Sequence, residues 1–99
     1  MPEKKNMIKA TIDYDKYGLI PIHMRAGFRL YIEDGIHRGH FLTALFENDL
    51  AGAISRADHI NEHKLKDMMQ WIYNEAPNNC WGSKEKVNNW KGLNNITGD

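Results

Sequence analysis

The sequence predicts a mainly α-helical domain, a small bundle of about four helices preceded by an extended N-terminal arm or short strand. Three observations lead there. Apolar residues recur at helical spacing in three separate segments. Proline and glycine stand where helices start and stop. The chain has 99 residues, 41% of them hydrophobic, which suffices for one core and is too short for two. It therefore divides into an arm over residues 1–19, a helical body over 20–91 and a polar tail over 92–99.

The arm opens on the polar stretch Met1–Asn6. In Met7–Ile12 the apolar residues Ile8, Ala10 and Ile12 alternate with Lys9, Thr11 and Asp13, the period of a strand. Tyr14, Tyr17 and Leu19 are expected to anchor the arm on the body. The first helix begins at Pro21, since proline suits the first helical position. Met24, Phe28, Tyr31 and Ile32 form its apolar face, and Gly35 is its left-handed stop. Gly27 inside this helix costs about 1 kcal/mol relative to alanine, so it predicts another backbone packed close to it.

A second, central helix is expected over His40–Ser55. Leu42, Leu45, Phe46 and Ala53 make its main face, and Asn48-Asp49 interrupt it. The third helix starts at Asp58 as N-cap and ends at Pro77. Its stripe is Leu65, Met68, Met69, Ile72, Tyr73 and Ala76, with Glu62 and Lys66 paired outside. After the turn-rich Pro77–Gly82, Ser83 caps a short fourth helix ending near Trp90.

Charge excludes several functions. The chain holds 13 cations against 13 anions, and the balance holds in each half. Binding duplex nucleic acid by bulk charge needs a basic surplus, and an acidic DNA mimic needs the reverse. A single cysteine, Cys80, excludes an internal disulfide and a four-cysteine zinc site. No apolar run is long enough for a membrane span, and the start lacks the apolar stretch of a signal peptide. These readings predict a soluble cytoplasmic protein without nucleic-acid or membrane partners.

Arginine placement is the most informative detail. All four arginines lie between residues 25 and 56, and no lysine occurs between Lys16 and Lys64. Arginine is preferred where a planar forked donor meets a phosphate or carboxylate. Arg25 and Arg29 share a helix face, and Arg38 follows in the next loop. The bland reading pairs them with acids of the same chain. The functional reading is an anion site in which Arg25, Arg29 and Arg38 bind phosphate, with His23, Asn48 and Asp49 reading polar edges. Asp58 and Asn61 could line the same pocket. The rings of Trp71, Tyr73, Trp81 and Trp90 serve as core anchors or as a stacking platform.

Signs of catalysis or metal binding are weak. His59 and His63 are one helical turn apart and His37-x-x-His40 is a second pair, yet no HExxH motif joins them. No metal or cofactor is expected. Cys80 precedes a helix that could activate a thiol, but a free cysteine beside tryptophan reads first as a small buried hydrophobe. No phosphate loop or nucleophile elbow is present, and the expectation is a non-enzyme.

Three blocks carry a resemblance over about seven-tenths of the chain. They are Ile20–Phe28 continuing to Tyr31–Ile36, Gly39–Ala44 with Glu47–Leu50 and Arg56–Asp58, and Tyr73–Pro77 with Cys80–Ser83. In these the chain resembles a family of small phage and prophage proteins. That resemblance implies an accessory protein acting by stoichiometric binding in a bacterial host. The resulting expectation is an anti-defence sponge for a nucleotide-type immune signal, homo-oligomeric with sites between subunits. The alternative is a protein–protein inhibitor of a host defence enzyme or CRISPR complex, presenting Trp71, Trp81 or Trp90 as a hot spot.

Overall fold

Apolar periodicity and capping residues produce six α-helices among residues 12–95, the part of the chain that the computed structural model describes. They are α1 (Ile22–Asp34), α2 (His40–Phe46), α3 (Leu50–Arg56), α4 (His59–His63), α5 (Leu65–Glu75) and α6 (Lys84–Asn89). Single 3₁₀ turns lie at Lys16–Gly18, Asn78–Cys80 and Leu93–Asn95. No strand occurs among the described residues. The strand expected over Met7–Ile12 falls, Ile12 apart, outside them. None of these helices is long and apolar enough to cross a membrane.

Helix α1 begins one residue later than expected, with Pro21 as its N-cap. Phe28, Tyr31 and Ile32 are buried as the spacing requires, and Met24 is half-buried. Gly35 ends the helix at φ 70°, its N–H donating to the Tyr31 carbonyl at 2.9 Å. A Cβ at Gly27 would sit 3.2 Å from Leu42 Cδ2, so the close neighbour is a side chain of α2 and not the expected backbone.

The single helix expected over His40–Ser55 is two. Asn48 adopts φ 65°, a left-handed conformation that asparagine tolerates better than most residues. Asp49 then caps α3 by accepting from the Gly52 N–H at 3.0 Å. The half before the break is the central one: Phe41, Leu42, Ala44, Leu45 and Phe46 are buried. In α3 only Ala53 is buried, and Leu50 and Ile54 face solvent.

The third expected helix also divides, at Lys64 (φ −107°, ψ 10°). Lys64 bonds Asp67 at 2.9 Å and the Gly18 carbonyl at 3.2 Å, so the expected Glu62–Lys66 pair straddles the break. The buried stripe of α5 is also rotated. Met68, Trp71 and Ile72 are buried, whereas Tyr73 is 72% exposed. Trp71 stacks on Tyr14 at 5.3 Å, meets Phe28 edge-on at 5.6 Å, and donates its indole N–H to the Asp13 carbonyl at 3.0 Å. Tyr14 and Leu19 do anchor the arm against the core; Tyr17, 83% exposed, does not.

The start of the expected polar tail is docked. Trp90 donates its indole N–H to the carbonyls of Tyr31 and Ile32 at 3.1 and 3.2 Å. Asn94 bonds the Asp34 carboxylate at 2.9 Å. The Trp90 bond satisfies the Ile32 carbonyl, one of those that the end of α1 leaves without an intrahelical partner.

Candidate functional site

The break at Asn48 and the turn at Ala57 bring the end of α3 and the start of α4 back to the beginning of α2. Between them lies a cleft of about 470 Å³. Met24, Phe41 and Leu42 give it an apolar floor. Arg38, His40, Arg56, Asp58 and Asn61 supply its polar groups. A second hollow of about 190 Å³ adjoins it, shares Met24, Arg38 and Leu42, and adds His23.

Asn61 is the unusual member. It is 4% exposed, the one buried polar residue among those described. Its backbone N–H donates to Asp58 Oδ1 at 2.7 Å. Its side-chain Nδ2 reaches Met24 Sδ at 3.5 Å, while its Oδ1 is buried with no hydrogen-bond partner. A thioether can only accept, so the amide nitrogen belongs on the Met24 side and the carbonyl remains for another donor. Such an orphan costs about 1–3 kcal/mol.

The charges are equally lopsided. Arg38 has no hydrogen-bond or ion-pair partner among the described residues. Arg56 reaches only the Gly52 carbonyl, at a weak 3.5 Å. The one acid in the cleft is Asp58, whose Oδ1 is engaged in the cap and whose Oδ2 stands 3.5 Å from His23 Nε2. Two forked cations therefore stand beside one carboxylate, an arrangement that attracts an anion.

The sequence-derived set is split by this geometry. Arg38 lines the cleft and His23 its rim. Arg25 turns away, donating to the Ile20 carbonyl at 2.9 Å and to Asp15 at 2.7 Å. Arg29, exposed, acts on the Tyr14 phenol, which is pushed above its ordinary value by burial and by its bond to Glu33. Asn48 and Asp49 form the α2–α3 break and are not among the residues that line the cleft. Asp58 and Asn61 do line it. Arg56, Met24 and Phe41 complete it; of these the sequence marks Arg56 as one of the four clustered arginines and Met24 as part of the apolar face of the first helix.

The remaining candidates are structural. Cys80 is buried, and burial pushes its thiol up to about 12, far from a reactive thiolate. Trp71 is wholly buried, whereas Trp90, its indole N–H engaged, is half-buried and lines a surface hollow with Lys86 and Asn89. Trp81 is half-buried, its Nε1 enclosed without a partner. The edge-to-face pair His59 and His63, 4.9 Å between ring centroids, is joined by no third ligand among the described residues.

No protein-family model matches this chain, and no curated protein or solved structure shows significant similarity to it.

Proposed function

We propose that this protein is a non-catalytic binder of a nucleotide-type ligand and acts by sequestering it. The observation that carries the reading is the company of Arg38 and Arg56, which lack a carboxylate partner among the described residues, in one cleft. Its volume lies within the usual range of ligand pockets, about 300–1,000 Å³. The guanidinium groups suit phosphate, the apolar floor suits a base, and Asp58 suits the polar edge of that base. In a phage-type accessory protein, which the three sequence blocks resemble, stoichiometric capture of this kind would blunt a host nucleotide signal. Self-association is part of the proposal, supported by Leu50 and Ile54 exposed one turn apart on α3 and by exposed Ile60 on α4.

Native mass spectrometry tests this directly, using the intact protein with a panel of nucleotides and with extract from infected, defence-active cells. The expected result is a retained mass absorbing near 260 nm, lost in Arg38→Gln while the helical circular dichroism is unchanged. Bare protein across the panel and the extracts would overturn the reading. The rival, a protein–protein inhibitor, is favoured by a different set of residues: Tyr17, Ile22 (79% exposed) and Tyr73 in place of the tryptophans. Recovery of one stoichiometric host partner, abolished by Tyr73→Ala, would support it.

A further inference from the structure

Helix α4 carries two histidines one turn apart, a spacing that places side chains on one helix face. The rings of His59 and His63 stand with centroids 4.9 Å apart and planes at 86°. Both residues are exposed, so an ion in solution can reach them. Zinc binds an imidazole nitrogen at about 2.0–2.1 Å, which puts the centroids of two imidazoles on one tetrahedral ion about 5 Å apart. The ring spacing on α4 is therefore one that a shared ion requires. Imidazole ligands suit zinc, nickel and copper ions. One chain supplies only half of a tetrahedral set, since its described residues contain no group of three or more such ligands.

A second copy of the chain would supply the other half. In a two-fold contact the same patch lies on both sides, so an ion on the axis would meet four imidazoles. The neighbouring surface has the character that such a contact needs. Ile60 follows His59 and is exposed, as are Ile54 and Leu50 on α3, which only Ala57 and Asp58 separate from α4. Covering these side chains removes apolar surface from water. We infer that His59 and His63 of two copies form a shared four-imidazole site for zinc or a similar divalent transition-metal ion. None of the residues that line the cleft belongs to this site, so it stands or falls separately from nucleotide binding. It gives the proposed self-association a face and a ligand.

Zinc alone, titrated into the intact metal-free protein, tests it. Calorimetry reads the uptake and sedimentation velocity reads the mass. The expected result is one zinc per two chains, with the sedimenting mass doubled relative to the protein in chelator. Cobalt(II) in place of zinc should give the intense visible absorption of a tetrahedral ion. His63→Gln removes one ligand from each copy and should abolish both the uptake and the change in mass. Its helical circular dichroism should be unchanged, because the residue is exposed. His37→Gln is the control, since that ring packs edge-on against Tyr31 and away from the pair; it should keep both. Absence of zinc uptake would overturn the proposal. One zinc per chain with the mass unchanged would mean an adventitious ion only and would overturn the shared site. Uptake undiminished in His63→Gln, or lost in His37→Gln, would put the ion elsewhere and remove His59 and His63 as its ligands.

Discussion

Gly35 and Gly92 meet backbone to backbone. A Cβ on Gly92 would lie 2.5 Å from the Asp34 carbonyl carbon and the Gly35 nitrogen, and one on Gly35 would lie 2.6 Å from the Lys91 carbonyl group. Both glycines have positive φ, 70° and 97°. This is how the segment after α6 closes over the end of α1, where Trp90 and Asn94 then bond to it.

Gly92→Ala should therefore destabilise the fold by more than the ~1–2 kcal/mol of a left-handed alanine alone, because the methyl group also collides with backbone that cannot move aside. Urea denaturation followed by tryptophan fluorescence checks this. Gly18→Ala is the control: φ is 63° but no atom lies within 4 Å of the added Cβ, so only the conformational penalty should register.

Arg25 and Arg38 should separate stability from binding. Arg25→Ala removes a part-buried hydrogen bond to the Ile20 carbonyl and should cost about 1 kcal/mol. The accompanying pair with largely exposed Asp15 adds little. Nucleotide retention should not change. Arg38→Gln should do the opposite, leaving stability within about 0.5 kcal/mol and abolishing retention. Chemical denaturation and native mass spectrometry on the same two variants decide it.

Asp49 has a structural duty that two substitutions distinguish. Asp49→Ala removes the cap of α3 and should cost about 1 kcal/mol, whereas Asp49→Asn should be nearly neutral. Ligand affinity should be the same in both. A loss of affinity in Asp49→Asn with the denaturation midpoint intact would return this residue to the site.

Stability should fall in alkali in a defined window. Cys80 is raised from its ordinary value near 9 to about 12 by burial. Tyr31, buried and donating to the Cys80 carbonyl at 2.6 Å, is raised too. Between these ordinary and folded values the unfolded chain loses protons that the native state keeps, so stability falls with rising pH. The contribution is whole below about pH 9 and is lost progressively as pH rises toward 12. Urea midpoints from pH 8 to 11 measure the slope. In the same range a thiol reagent should label Cys80 only once denaturant is added.

Much of the fold was legible in local chemistry. Gly35 as the stop of α1, Ser83 as the cap of α6 and the buried face of Phe28, Tyr31 and Ile32 follow from short-range rules. Gly27 pointed to a close neighbour, but that neighbour is the Leu42 side chain and not a backbone. The failures are also instructive. Asn48-Asp49 was read as a polar flaw in one long helix, although Asn tolerates positive φ and Asp caps, so the pair spells a break. The expected stripe of the third helix includes Tyr73 and omits Trp71, whereas packing against Tyr14 and Phe28 buries Trp71 and leaves Tyr73 exposed.

The candidate site was half legible. Arginine clustering points to an anion site, and Asp58 and Asn61 are expected to line the same pocket, which they do. The burial of Asn61 is not legible locally, because the break at Lys64 separates it from the stripe of Met68 and Ile72. Sequence by itself determined the helical class, the punctuation of its elements and the supply of forked cations, because these depend on residues within a turn or two of one another. Tertiary structure alone decided which arginines are spent internally and which face the cleft. Arg25 and Arg38 are the same residue type, but the partners that consume the first come from the arm. The second is left without one because the turn at Asn48 carries the following helices round to close a cleft beside it.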